Sequence, residues 1–159
     1  MGWIPRAQHG ARCREDDILM TTVVCNRHEM ACDSYLTDGN TIQSVRKVFR
    51  RKGHVVGIAG DYAACMDFVT WWLRGGGAEY EGEMGEVEVL ILTKAGKILH
   101  YSSCSKPFEL CDDFAAIGSG SAAAMGALHM GATPAQAVLA ASKVDVNTGG
   151  KISIRRRGK

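Results

Sequence analysis

The chain has 159 residues, of which 46% are hydrophobic and 23% charged, and a formal net charge of +2. This length fits one domain, and the composition is that of a folded globular protein, which excludes a disordered chain. The charge is too small to indicate nucleic-acid binding, and no stretch of roughly 18 apolar residues indicates a membrane span. We therefore expect a cytoplasmic protein that binds neither nucleic acid nor a membrane.

The cysteines show neither a C-x-x-C pair nor the Cys/His spacing of a zinc site. Several stand in apolar contexts, where a free thiol behaves as a small buried hydrophobic group. This predicts reduced thiols, as in the cytoplasm, rather than a disulfide framework. The cysteines are Cys13, Cys25, Cys32, Cys65, Cys104 and Cys111.

Residues 1–20 differ in character from the rest of the chain. They contain no apolar segment of a secretory signal, and their basic and acidic residues balance. Three explanations stay open: a removable propeptide, a flexible arm, or an upstream extension with Met20 as the true start. Under the first and the last, the mature chain begins at Thr21. The last requires removal of Met20 as the initiator methionine, which threonine is small enough to permit. The domain itself is expected over residues 21–159.

The first elements predicted in chain order are strands. Thr21–Asn26 is a β-prone run, and a turn at Arg27–Glu29 joins it to Met30–Ser34 as a hairpin. His54–Gly60 is typical of a buried strand. Asp61 is the expected N-cap of a following helix.

That helix is predicted over Tyr62–Leu73, with apolar residues at helical spacing. Val87–Thr93 and Lys97–Ser102 flank a Lys-Ala-Gly turn, which predicts a second hairpin. Phe114–Gly118 is a further short strand. The helical apolar positions are Cys65, Phe68, Val69 and Trp72.

Two helices and a strand complete the predicted order. Ser121–Gly131 is rich in alanine and helical. Thr133–Gln136 has the cap signature of a helix start, with Pro at its first turn, and that helix is expected to reach about Val144. Lys151–Arg155 is the last strand. Antiparallel hairpins combined with paired helices predict a layered α+β domain.

Five motifs occur in order at compatible spacing. Together they resemble the proteasome β-subunit family, most of all its HslV-like members, from Thr21 to about Ile154. The resemblance implies an N-terminal nucleophile hydrolase sandwich, with two antiparallel β-sheets between helix layers, and a threonine peptidase. The motifs are TTVV from Thr21, KVFRR from Lys47, HVVGIAGD at 54–61, AIGSG at 116–120 and DVNTG at 145–149.

The resemblance implies a role for each matching residue. Thr21 is the implied nucleophile, and its freed α-amine the general base, because a threonine hydroxyl needs a base to attack. The ammonium group of Lys47 is implied to lie beside the Thr21 oxygen, where Asp33 holds it. The backbone N–H of Gly57 is implied to bind the developing oxyanion.

Further residues are implied around this centre. Ser119 and Asp145 are expected to orient the amine, and Thr148 and Gly149 to complete that corner. For Asp61, the helix cap is the favoured interpretation over contact with a basic substrate side chain. The implied primary substrate pocket consists of Leu36, Val45, Phe49, Asp61 and Cys65.

The resemblance also implies partners and a cation. Family members form stacked rings, so we expect a homo-oligomeric hexamer or heptamer ring, an AAA+ ATPase unfoldase such as an HslU-like protein, and polypeptide substrates. No cofactor is expected for the chemistry. The resemblance also implies a structural monovalent or divalent cation, bound through carbonyls near the end of the last helix at Ser142, Asp145 and Thr148. Two alternatives stay open: a non-catalytic ring subunit with an uncleaved leader, and an N-terminal nucleophile hydrolase of small amides.

Overall fold

The computed structural model describes residues 21–38, 40–77, 79–103 and 105–159, so the predicted leader at 1–20 lies outside the described residues. Within these ranges, no helix is long and apolar enough to cross a membrane. The helices are α1 (Tyr62–Leu73), α2 (Ser121–His129) and α3 (Pro134–Ala141). The strands are β1 (Thr22–Asn26), β2 (Glu29–Cys32), β3 (Tyr35–Asp38), β4 (Thr41–Ser44), β5 (Val48–Arg51), β6 (His54–Gly60), β7 (Val87–Leu92), β8 (Ile98–Ser102), β9 (Phe108–Leu110), β10 (Phe114–Gly118) and β11 (Ser153–Arg156).

The strands form two larger sheets and one separate hairpin. The first sheet has the order β10-β1-β2-β11 and the second the order β5-β6-β7-β8-β9. All their neighbouring strands are antiparallel. Strands β3 and β4 pair only with each other among the described strands.

Side-chain alternation along the strands divides the apolar core into three layers. On β1, Val23 and Cys25 face the second sheet, whereas Val24 packs against α2 and α3. On β6, Val55 lies between the sheets and Val56 packs against α1. Two antiparallel sheets therefore lie between helix layers, which confirms the predicted sandwich.

Helix α1 begins where the sequence predicts. The Asp61 carboxylate accepts a hydrogen bond from the N–H of Ala64 at 3.0 Å, which satisfies one free donor of the first turn. The buried face of α1 consists of Cys65, Phe68, Val69 and Trp72, as the spacing predicts. Helix α3 has the predicted capping box between Thr133 and Gln136.

Some boundaries and elements differ from the prediction. Helix α3 ends at Ala141 with Ser142 as its C-cap, three residues before the predicted end. The hairpin of β3 and β4 and the short strand β9 were not predicted. Strand β4 is exposed at all four positions, so it lacks the apolar alternation on which strand prediction depends.

The described thiols should differ sharply in reactivity. Burial raises the pKa of Cys25, Cys32 and Cys65 to about 12, whereas Cys111 is exposed. Because the thiolate is the nucleophile, we expect iodoacetamide at pH 8 to alkylate Cys111 and to leave the other three unmodified in the folded protein. Peptide mass mapping checks this, with the denatured protein as the control. Rapid alkylation of Cys25 under native conditions contradicts the burial.

Candidate active site

Thr21 directly precedes β1 and is 4% exposed. Its carbonyl oxygen accepts a hydrogen bond from the N–H of Ser119 at 2.9 Å. Gly118 makes this approach possible, because its φ is +92° and a Cβ at this position would lie 1.5 Å from the Thr21 oxygen. The end of β10 therefore fixes the backbone of Thr21.

A buried ion pair lies beside the start of β1. The Nζ of Lys47 is 2.7 Å from Oδ1 of Asp33, and both side chains are 1% exposed. The same Oδ1 accepts the N–H of Thr22 at 3.1 Å, and Lys47 also donates to the carbonyl of Tyr35. One carboxylate oxygen thus links the ammonium group to the residue that follows Thr21.

The second oxygen of Asp33 is also bonded. It accepts the N–H of Tyr35 and the N–H of Gly149, both at 3.1 Å. A buried charge costs several kcal/mol unless it is paired and its hydrogen bonds are made, and here both conditions are met for the carboxylate. Asp33 therefore holds three segments of the chain around Lys47.

Burial lowers the pKa of Lys47, and the neighbouring Asp33 carboxylate opposes this effect without cancelling it. The ammonium group consequently loses its proton more readily than that of an exposed lysine. In its charged form it can stabilise a nearby alkoxide or oxyanion, and in its neutral form it can accept a proton. Both forms suit a hydrolytic centre.

A second set of polar groups lies on the other side of Thr22. Oδ2 of Asp145 accepts the hydroxyls of Ser119 and Thr148, each at 2.5 Å. Because Thr148 donates there, it accepts from the Thr22 hydroxyl, 2.6 Å away, which in turn accepts the N–H of Gly120 at 2.9 Å. Ser119 is therefore bonded both to Asp145, through its hydroxyl, and to the carbonyl of Thr21, through its N–H.

Asp145 is expected to give the fold a measurable acid sensitivity. Burial alone raises its pKa, but the hydrogen bonds from Ser119, Thr148 and Asn147 outweigh burial, and its pKa lies below the ordinary range. The unfolded chain then takes up the proton first, so the stabilisation is present above the unfolded pKa of about 3.9 and is lost as pH falls through the lower folded pKa.

We therefore expect Asp145→Asn to lower the free energy of unfolding at pH 7 by about 1.5–3 kcal/mol, the range for hydrogen bonds to a charged group. The variant should also lose less stability than the parent below pH 4. Urea unfolding at a series of pH values checks both results. Asp112→Asn is the matched control, since Asp112 is exposed. An equal acid dependence in parent and Asp145→Asn contradicts the assignment.

Gly57 lies on β6 opposite Val48 and Leu90. A Cβ at this position would lie 2.5 Å from Met30 and Val23, so glycine is required for the sheets to pack. The N–H of Ile58 donates to the carbonyl of Lys47, and alternation therefore directs the N–H of Gly57 toward β7. The oxyanion role expected of this N–H stays a prediction.

The residues expected in the substrate pocket occupy several environments. Leu36 on β3 and Val45 after β4 are half-buried. Phe49 and Cys65 both belong to the core layer beneath α1, where the Cys65 thiol donates to the carbonyl of Ala59. Asp61 caps α1, which agrees with the favoured interpretation. The pocket as a whole stays a prediction.

The side chains expected near a cation are already bonded within the protein. The Ser142 hydroxyl donates to the carbonyl of Leu139 at 2.7 Å, and Thr148 donates to Asp145. Among the described residues, no cluster of three or more His, Cys, Asp or Glu side chains could hold a metal ion. The implied cation is bound through carbonyls, so these side-chain bonds leave its site a prediction.

Two positions of the candidate site are not singled out by the sequence analysis. Thr22 appears there only within the TTVV motif, but its N–H and hydroxyl bond to both halves of the site. Gly118 appears only within a predicted strand and the AIGSG motif, but it permits the contact with Thr21. A glycine that ends a strand directly before a serine is the signal that could have indicated the second position.

Comparison with known proteins identifies the fold. No protein-family model matches the chain, and no curated protein matches it. Among solved structures, Thiobacillus denitrificans BPH has a TM-score of 0.67 and 17% identity over 87% of this chain and 98% of its own. The same protein in complex with epoxomicin has a TM-score of 0.59 and 20% identity over 88% and 100% of the two chains.

A eukaryotic HslV from Trypanosoma brucei is similar to the same extent. Its TM-score is 0.66, with 20% identity over 86% of this chain and 98% of its own. These neighbours are matched over nearly their full length, although few of their residues are identical to those of this chain. The chain thus has the fold of HslV-like proteins, the architecture that its resemblance to proteasome β subunits implies.

Proposed function

We propose that the protein is a threonine-type endopeptidase subunit of a self-compartmentalising, HslV-like complex, with Thr21 as its N-terminal nucleophile. The observation that carries the proposal is the buried Asp33 carboxylate, whose Oδ1 accepts from both Lys47 and the N–H of Thr22. An ion pair on the protein surface contributes little to stability and needs no functional explanation. The Lys47–Asp33 pair is buried, and a buried lysine within this motif suits a catalytic role. A similar structure in complex with epoxomicin adds support from the fold.

The proposed chemistry is acyl transfer in two steps. The Thr21 hydroxyl attacks the scissile carbonyl while the α-amine of Thr21 takes up its proton, directly or through water. The peptide C–N bond then breaks, the leaving amine receives that proton, and an ester to Thr21 remains. Water hydrolyses the ester and regenerates the hydroxyl.

The described contacts suit this sequence of steps. An α-amine titrates near pH 7.7–8.0, so it can accept a proton at neutral pH. The positive charge of Lys47 favours both the neutral amine and the developing alkoxide. Ser119, which donates to the Thr21 carbonyl and to Asp145, is the proposed positioning residue for the amine.

The proposed complex consists of stacked homo-oligomeric rings, each a hexamer or a heptamer. An AAA+ unfoldase of the HslU type is its proposed partner. A ring accounts for how a general peptidase is kept from folded cellular proteins. Unfolded polypeptides are the proposed substrates.

The decisive experiment compares two forms of the protein, one with residues 1–20 and one that begins at Thr21. Intact mass and N-terminal sequencing define each form, and hydrolysis of fluorogenic peptides and of an unfolded protein measures activity. Activity only in the form with a free Thr21 amine supports the proposal.

Other results favour the alternatives. A chain that retains residues 1–20 in its native setting has no free Thr21 amine, which favours a non-catalytic ring subunit. Hydrolysis of small amides by a monomeric form, without cleavage of polypeptides, favours a small-amide hydrolase. Size-exclusion mass separates this last case from a ring.

A further inference from the structure

The sandwich is open along one edge, where β11 ends the first sheet and β5 ends the second. A cavity of about 400 Å³ lies at this edge. Its polar lining includes Ser34, Arg46, Lys151, Ser153 and Arg155. Thr21 and Lys47 are not among the residues that line it, whereas Val45, one of the residues expected in the substrate pocket, is.

The register of β11 explains how an arginine comes to lie at this position. Ser153 pairs with Cys32, and Arg155 pairs with Met30. Directly opposed residues share one face of a sheet, and both Cys32 and Met30 belong to the core between the sheets. On this face of the sheet, β11 therefore carries polar side chains, whereas the neighbouring strand β2 carries apolar ones.

The cations of the cavity have no acidic partner among the described residues. None of Arg46, Lys151 and Arg155 forms an ion pair there, although six other ion pairs are present. The described residues that line the cavity include no aspartate or glutamate. Three positive charges thus surround one concave space, which favours an anionic ligand.

The surrounding groups add hydrogen-bonding capacity. The Ser34 hydroxyl oxygen accepts the N–H of Lys151 at 2.9 Å, so its own proton remains to be donated. Among the described strands, β11 pairs on one side only, which leaves backbone groups on its outer side for a further strand. The described lining residues include no aromatic ring for base stacking, which disfavours a nucleic acid.

We propose that this cavity is a binding site for an acidic peptide segment in extended conformation. Its backbone pairs with the outer edge of β11, and its carboxylates contact Arg46, Lys151 and Arg155. The proposal does not depend on the peptidase reaction, because its test measures binding and its variants leave Thr21, Lys47 and Val45 unchanged. The competing explanation is that Arg155 is an inward-pointing charge that only prevents strand edges of different molecules from pairing.

Fluorescence anisotropy of the whole chain tests the site. The probe is a labelled octapeptide with four glutamates, and its matched peptide carries four glutamines. We expect the double variant Arg46→Gln/Arg155→Gln to bind the acidic peptide at least about tenfold more weakly than the parent, a change of about 1.4 kcal/mol. The control Lys52→Gln/Arg74→Gln removes the same charge from two exposed positions and should bind within about twofold of the parent.

The remaining measurements test whether positive charge at these two positions binds the peptide, and whether other anions bind in its place. Rescue by Arg46→Lys/Arg155→Lys supports the site, and circular dichroism shows whether each variant is folded. Equal weakening by the pocket and control variants overturns the proposal, since it indicates a diffuse charge effect. Binding of citrate or of an oligothymidylate without binding of the acidic peptide also overturns it, as does no binding by any probe.

Discussion

Thr21→Ala should reduce peptide hydrolysis to the background rate in a chain that begins at residue 21. The substitution removes the only atom that can form the ester to this residue while it leaves the α-amine in place. Removal of the nucleophile from a comparable hydrolase costs about a million-fold in kcat. Fluorogenic peptide hydrolysis, measured at equal folded-protein concentration, checks the result. The bond from Ser119 to the Thr21 carbonyl involves only main-chain atoms, so the variant keeps it.

Two controls make this result specific. Thr21→Ser keeps a hydroxyl at the same position and should retain measurable hydrolysis. Thr70→Ala alters an exposed threonine on α1 and should leave the rate unchanged. If Thr21→Ala keeps more than about a hundredth of the parent rate, the nucleophile lies elsewhere and the proposed function fails.

Asp33→Ala should be among the most destabilising substitutions in the chain. It leaves the Lys47 ammonium group buried without its counter-charge and removes the acceptor of the N–H groups of Thr22 and Gly149. Loss of one partner of a buried ion pair typically costs about 3–5 kcal/mol. Urea unfolding at pH 7 measures the change in the free energy of unfolding.

The companion variants separate the charge from the packing. Asp33→Ala/Lys47→Met removes both charges and should recover part of the lost stability, because no unpaired charge remains buried. Glu109→Ala breaks the exposed pair between Lys97 and Glu109, whose atoms are 3.0 Å apart, and should cost about 0–1 kcal/mol. Equal losses for Asp33→Ala and Glu109→Ala contradict the buried pair.

The elements that the sequence predicts correctly are those with strong local signals. His54–Gly60 and Phe114–Gly118 match their predicted bounds, because each is a short apolar run between turn or cap residues. The helix N-cap at Asp61 is confirmed, because it depends only on the residues of the following turn. The hairpin of β3 and β4 was not predicted because its two short strands, one mostly half-buried and one exposed, have no apolar alternation.

The candidate site shows a similar division. The order of the motifs singles out Asp33, Lys47, Ser119 and Asp145. In the structure, Asp33 joins Lys47 to the N–H of Thr22, and Ser119 joins Asp145 to the carbonyl of Thr21. The direction of the Gly57 N–H could not be predicted, because it depends on which strand of the sheet each residue faces. Likewise, the pair of threonines at 21–22 does not indicate that Thr22 bonds both to Asp33 and to Thr148.

The bond between the hydroxyls of Thr22 and Thr148 joins residues 126 positions apart. Contacts between residues so far apart in sequence form late in folding, because closing the chain over that distance lowers its conformational entropy before the contact can stabilise the fold. A nascent chain that still lacks residues 145–149 has neither the acceptor at Asp145 nor the Gly149 N–H on Asp33. The centre around Thr21 is therefore incomplete throughout most of synthesis, and the order of folding itself delays any activity until the whole domain has assembled.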